Sequence, residues 1–300
     1  MASPILRRKE EMYKAYMEFF DLAEKNRRWH PLNDIDWAWL ENGANAQDIR
    51  NGEGVSANEQ VATCLETFCA VELFIPDYTM AGLNMTRDFF GQAWFHLAWG
   101  YEESKHALSF RNYLTSSGLR TEEQYIDFEA EVLKKTWHKP FDSYRQMACY
   151  GALQEIATFL IYQAQKRIYS EVGSNPNPVL YRIFNLISRD EAAHASLYRK
   201  FLDFEFQEDP EGAEEDMAYV ISHFEMPGVG LVPGYEERLG VSGVGISSAE
   251  FIELGIMPTL KRCGMTRRSM TKAMHRLRTK QAATPEFKMA HEAKVELAAV

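Results

Sequence analysis

The sequence predicts an all-α fold: a four-helix bundle core, about residues 56–206, with additional N- and C-terminal helices. Three observations lead there. From Ser56 to about Tyr113, and again from about Phe141 to Phe206, apolar residues recur at helical spacing with few interior prolines or glycines and no strand-like alternation. Each stretch is interrupted once, at LNMTRD (83–88) and at EVGSNPNPVL (171–180), which folds it into an antiparallel helix pair. The later arm of each pair carries a Glu-x-x-His, in YEESKHALSF (101–110) and RDEAAHASLY (189–198), and of eight histidines only these two follow a Glu by three residues.

The elements follow in order. Arg7 to Arg28 reads as an amphipathic helix, and the Trp-rich WHPLNDIDWAWL comes after it. The first core helix runs to the break at 83–88, where Thr86 is a candidate N-cap for the second. Pro76 cannot donate to the carbonyl of Glu72, so the first helix should kink or loosen there. Residues 114–140 join the pairs and carry a helix of their own. Gly173, Pro176 and Pro178 stop the third core helix and start the fourth. An acidic helix near 211–225 follows, and 226–247 is too rich in Gly and Pro for a long helix. The two pairs look like halves of a pseudo-symmetric bundle, and the whole chain, 1–300, reads as a single domain.

Composition sets limits. With 46% hydrophobic and 25% charged residues the chain is that of a soluble globular protein. No run approaches 18 apolar residues, the amino terminus has no apolar signal core, and a net charge of −10 disfavours nucleic acid; no membrane and no nucleic acid are expected as partners. Cys64, Cys69, Cys149 and Cys263 form no Cys-x-x-Cys, which suits reduced thiols and a cytoplasmic protein.

Residues i and i+3 of a helix project from nearly one face, so Glu103 with His106, and Glu191 with His194, can each aim a carboxylate and an imidazole at one point. One such pair alone is as well read as a surface hydrogen bond. Reflecting Glu103 across the first break lands close to Glu72, and reflecting Glu191 across the second lands on Glu155, both single glutamates in apolar sequence. A buried carboxylate is costly without a cation beside it. Four carboxylates and two imidazoles at one height suit two iron or manganese ions, whereas zinc more often brings cysteine. Thr158 lies on nearly the face of Glu155, close to any metal-bound oxygen species or bonded back to its own helix. Trp94, Phe95 and Trp99 read as core aromatics, and His96 as a satisfied core or surface histidine.

With these residues in place, the sequence resembles the soluble plant-type acyl-acyl carrier protein desaturases, a branch of the ferritin-like di-iron carboxylate proteins. VELFIPDY, EESKH, QEIATF and DEAAH resemble that family's four ligand motifs in order, and the likeness spans about residues 10–225. The resemblance implies a ferritin-like bundle in which Glu72, Glu103, His106, Glu155, Glu191 and His194 bind two Fe ions, with Thr158 near the oxygen site. It implies that Asp190 orients a histidine and joins an electron route with a tryptophan from Trp37 to Trp39. The implied activity is O2-dependent desaturation of an acyl chain on acyl carrier protein, with a ferredoxin-like donor and a homodimeric enzyme. This chain is shorter than the plant enzymes and its tail aligns poorly, so acyl length and the position oxidised do not carry over. A related di-iron oxygenase that hydroxylates would keep the same six ligands. A ferritin-like protein handling iron or oxidants is the reading without an organic substrate, although about 75 residues follow the aligned region.

One motif stands apart. KRCGMTRRSMTKAMHRLRTK (261–280) holds eight Lys or Arg and no acid, with Met270, Met274 and Leu277 on one helical face and Arg268, Lys272, Arg276 and Lys280 in a stripe. Either the helix packs its methionines on the bundle and pairs its charges with the acidic 208–216 segment, or the stripe docks a negative carrier protein.

Overall fold

Every element among the described residues is helical in the computed structural model, which describes residues 3–41, 55–242 and 246–282. Helix α1 (Pro4–Asn26) starts where the Ser3 hydroxyl accepts from the Leu6 N–H, and it buries one stripe: Met12, Tyr16, Phe19 and Ala23. After the short α2 (Trp37–Glu41) come the core helices. They are α3 (Val55–Glu72) and α4 (Ile75–Thr86), then α5 (Phe90–Ser116), α7 (Tyr144–Ile168) and α8 (Pro178–Glu208). The expected connecting helix is α6 (Glu122–Val132), begun by a capping box of Thr121 and Gln124. Ser143 and Asn177 cap α7 and α8 with their side chains.

Two expectations change. The loosening at Glu72 is a full break: Leu73 and Phe74 form a turn, and Pro76 sits in the first turn of α4, where a missing N–H costs nothing. Thr86 is not an N-cap; it ends α4 and donates to the Gly82 carbonyl at 2.7 Å, while α5 begins without a side-chain cap.

The acidic helix is α9 (Pro210–Ser222), and 226–247 holds only the short α10 (Tyr235–Ser242), with 243–245 outside the described residues. Then follow α11 (Ser248–Phe251), a π-helical stretch over Ile252–Ile256, α12 (Met257–Arg262) and the basic α13 (Arg267–Ala282). Helix α13 lies along α9. Ala273 is buried, Arg276 reaches Glu214 and Glu215 at 2.9 and 2.8 Å, and Lys280 pairs with Glu215, so this half of the stripe follows the packing alternative. Arg268 and Lys272 are exposed.

The apolar core has two parts. Phe68, Phe110, Tyr162 and Phe184 belong to one cluster, and Phe95, Trp99, Tyr198 and Phe201 to the other. Helices α7 and α8 pack along much of their length, and Gly151 permits it: a Cβ there would stand 2.6 Å from the Tyr198 ring. Trp94 is not a core residue. It is 51% exposed, on an outward stripe of α5 with Phe90, Leu97 and Tyr101. All four cysteines are free, and no helix among the described residues is long and apolar enough to cross a membrane.

Candidate metal centre

Six buried side chains from four helices meet in the bundle. Glu72 is the last residue of α3, Glu155 comes from α7, and the two Glu-x-x-His pairs come from α5 and α8. His106 Nδ1 lies 2.9 Å from Glu103 Oε2, 3.4 Å from Glu191 Oε1 and 3.9 Å from Glu72 Oε1. His194 Nδ1 lies 2.9 Å from Glu103 Oε1 and 3.4 Å from Glu155 Oε2. The donors form two groups, Glu72, Glu103, His106 and Glu191, and Glu103, Glu155, Glu191 and His194, each with its donor atoms within 4.8 Å of one another. Glu103 and Glu191 belong to both, as carboxylates that bridge two ions would. All the residues chosen by reflection across the breaks therefore converge.

The polar atoms fit cations. Glu103 Oε1, His106 Nδ1, Glu155 Oε2, both Glu191 oxygens and His194 Nδ1 are buried without a hydrogen-bond partner among the described residues. Neutral proteins do not leave so many polar atoms idle in one place. Burial first, and the Glu103 carboxylate second, push Glu72 and Glu191 well above the ordinary carboxylate range. Burial would raise Glu103 too, but His106 and His194 hold it down at about 2. Burial works against the charge on His106, yet Glu103 and Asp190 bring it up to about 9. Fully ionised, the four carboxylates would carry four negative charges, the charge of two divalent cations, in a layer whose hard oxygen and imidazole donors suit iron or manganese.

A second layer fixes the imidazoles. His106 Nε2 lies 3.4 Å from Asp190 Oδ2, and His194 Nε2 lies 2.8 Å from Glu102 Oε2. The arrangement is crossed: Glu102 precedes Glu103 on α5 and serves the histidine of α8, while Asp190 precedes Glu191 on α8 and serves the histidine of α5. An Nε2–H donated outward leaves each Nδ1 lone pair facing the carboxylates. Arg27 Nη1 donates to both Glu102 and Asp190 at 2.7 Å, and Lys105 Nζ lies 3.4 Å from Asp190.

Sequence reasoning found Asp190 but missed Glu102, Arg27 and Lys105. The signal for Glu102 was present, since an acid precedes the Glu of both Glu-x-x-His motifs. The tryptophan is also corrected: Trp29 Nε1 donates to Asp190 Oδ2 at 2.7 Å and its ring stacks on His106, whereas Trp37 is turned to the Pro31 carbonyl. Trp29 lies three residues past the end of α1, and no spacing argument ties that position to α8. Thr158 lines the cavity described next, but its hydroxyl donates to the Gln154 carbonyl at 3.0 Å and accepts from Gln154 Nε2 at 2.9 Å, the back-bonded alternative.

A cavity of about 340 Å³ adjoins the carboxylates, reaching Glu72, Glu103, Glu155 and Glu191, and is walled mainly by aromatic and aliphatic side chains, with no Lys, Arg or His among the described residues that line it. Met226, Pro227 and Tyr235 form part of this wall, so the Gly- and Pro-rich segment after the bundle contributes to the cavity.

Comparison with known proteins places this architecture. The family model described as fatty acid desaturase matches residues 5–239. The chain belongs to that family. DesA1 of Mycobacterium tuberculosis, provisionally named an acyl-[acyl-carrier-protein] desaturase, is 22% identical over 249 residues, 79% of this chain and 71% of the relative. Among solved structures, DesA2 of Mycobacterium tuberculosis superposes with a TM-score of 0.58 at 13% identity, over 89% of this chain and 99% of that one. A variant of an R2-like ligand-binding oxidase with a reconstituted Mn/Fe cofactor gives 0.58 at 16% identity, over 85% and 94%. The fold is thus the expected ferritin-like bundle. Family membership makes the chain an oxidoreductase, and the buried carboxylate and histidine cluster is its candidate metal centre.

Proposed function

We propose that this protein is an O2-dependent desaturase that places a double bond in an acyl chain carried on acyl carrier protein. Glu72, Glu103, His106, Glu155, Glu191 and His194 would hold two iron ions, which supply redox chemistry with O2 once reduced by a ferredoxin-like donor. The acyl chain loses two hydrogens; O2 takes these, two electrons and two protons and leaves as two waters. Within this scheme, Asp190 and Glu102 orient the imidazoles, the apolar walls hold the chain against the carboxylate layer, and aromatic side chains exclude water.

The observation that carries this reading is the cavity, which ends on the carboxylates and offers no cation along its walls. A free fatty acid whose head lay along these walls, away from the metals, would bury its carboxylate unpaired, at a cost of several kcal/mol. A neutral thioester with its head outside meets no such penalty, which favours a carrier-bound substrate. Mass spectrometry of acyl carriers incubated with iron-loaded protein, reductant and O2 tests it. A product lighter by two hydrogens supports desaturation; a product heavier by one oxygen replaces it with hydroxylation. Oxidation of free fatty acids alone, or activity only with a manganese–iron pair, overturns the carrier or the metal assignment respectively.

A further inference from the structure

The buried polar atoms without partners fall mainly into two sets. One is the carboxylate layer. The other surrounds His96, one and a half to two turns before Glu103 and Trp99's neighbour on α5, which is fully buried with neither ring nitrogen bonded among the described residues. Gln92 Nε2, one turn earlier, Tyr144 Oη from α7 and Arg8 Nε from α1 are unpartnered too. The histidine was expected to be satisfied and is not.

Ion pairing, ring contacts and electrostatic influence connect these groups in turn. Arg8 pairs with Glu205 at the outer end, where the Arg8 side chain is 32% exposed and that of Glu205 is 6% exposed. The Tyr144 phenol, raised chiefly by burial, also feels both of them. Its ring centroid is 5.6 Å from that of His96, and His96 is 6.2 Å from Tyr198. Tyr198, again raised chiefly by burial, feels Tyr144, Glu155 and Glu103, and it lines the cavity. Gly82 makes room for the imidazole: a Cβ there would lie 2.5 Å from His96 Nδ1. A helix glycine reserved for a histidine with two unused nitrogens is a feature that apolar packing does not require.

We propose that the polar layer around His96 binds ordered water and forms the passage by which protons reach the cavity from the Arg8 and Glu205 end. Buried groups of this kind are ordinarily satisfied by internal water, each molecule bridging two to four polar atoms. Burial holds His96 down at about 3, so it serves as a neutral donor and acceptor for water and carries no charge itself. The delivery role rests on the O2-dependent reading above, because that reaction takes two protons from solvent for every two electrons. The water site does not depend on it.

Two measurements test the proposal together. A high-resolution crystal structure of the metal-loaded protein should show water bonded to His96 and Tyr144; a dry layer overturns the proposal. Reoxidation of the chemically reduced centre by O2, followed optically in H2O and D2O, needs no acyl substrate. Tyr144→Phe removes one hydroxyl, and His96→Phe removes both nitrogens with a ring retained. Each should slow reoxidation roughly tenfold or more and enlarge the solvent isotope effect, with metal content unchanged. Wild-type rate and isotope effect in both variants overturn the passage even if water is present. Failure to oxidise any acyl carrier, with these results intact, would count against the desaturase reading alone.

Discussion

Arg27→Met probes the second layer most directly. One nitrogen of Arg27 holds both carboxylates that orient the two imidazoles, and its side chain is only 9% exposed. Met keeps much of the aliphatic volume and removes the charge. Asp190 and Glu102 are then left buried with one fewer cation, and removing one partner of a buried ion pair costs about 3–5 kcal/mol. Unfolding should shift down by on the order of 10 °C. Loss of an outer carboxylate's support weakens metal binding by about 10–100-fold, and here both histidines are affected. The pH dependence has a definite sign. Although burial opposes it, bonding to His106, Lys105 and Arg27 holds Asp190 well below the usual carboxylate range, and His194 and Arg27 lower Glu102. A depressed carboxylate stabilises the fold above its unfolded pKa of about 4 and loses that contribution as the pH falls through the folded value. The deficit of the mutant should therefore be full at neutral pH and shrink below about pH 4. Chemical denaturation across pH and competition with a metal indicator measure both effects. Arg28→Ala is the control, since Arg28 is about one-third exposed and pairs mainly with Glu24, and it should change stability by no more than about 1 kcal/mol. Wild-type stability and metal affinity in Arg27→Met would refute the assigned role of this residue.

Three further outcomes are expected. Iron-reconstituted protein should bind about two metals per chain, and Glu103→Ala or Glu191→Ala should lose most of them while keeping its helical circular dichroism; full occupancy in both would remove the ligand assignment. Phe90, Trp94, Leu97 and Tyr101 offer an exposed stripe for a second copy of the chain, so Trp94→Glu with Leu97→Glu should turn a dimer into a monomer by light scattering; a wild-type monomer at micromolar concentration would disprove the dimer. Because Arg276 and Lys280 are committed to α9, carrier docking on α13 would fall to Arg268 and Lys272. Their double reversal to Glu should raise KM for the acylated carrier and flatten its salt dependence without changing metal content; unchanged kinetics place docking elsewhere.

The sequence alone determined the helical class, the bundle and the six converging residues. Their legibility has a simple cause: i and i+3 fix one face of a helix, and an antiparallel turn puts residues equally distant from it at one height. Local rules failed where two outcomes were locally equivalent. A proline after Glu72 could kink the helix or start a new one, and packing chose the break. Trp94 and Phe95 are adjacent in sequence, and only the placement of α1 and α8 against α5 decided which was buried. Arg27 and Trp29 reach Asp190 across more than 160 positions of sequence, a contact that no periodicity encodes. The tertiary structure also decided that His96 has no hydrogen-bond partner among the described residues and that residues beyond the bundle wall the cavity. Burial and partnership belong to the assembled helices, whereas spacing belongs to each helix by itself.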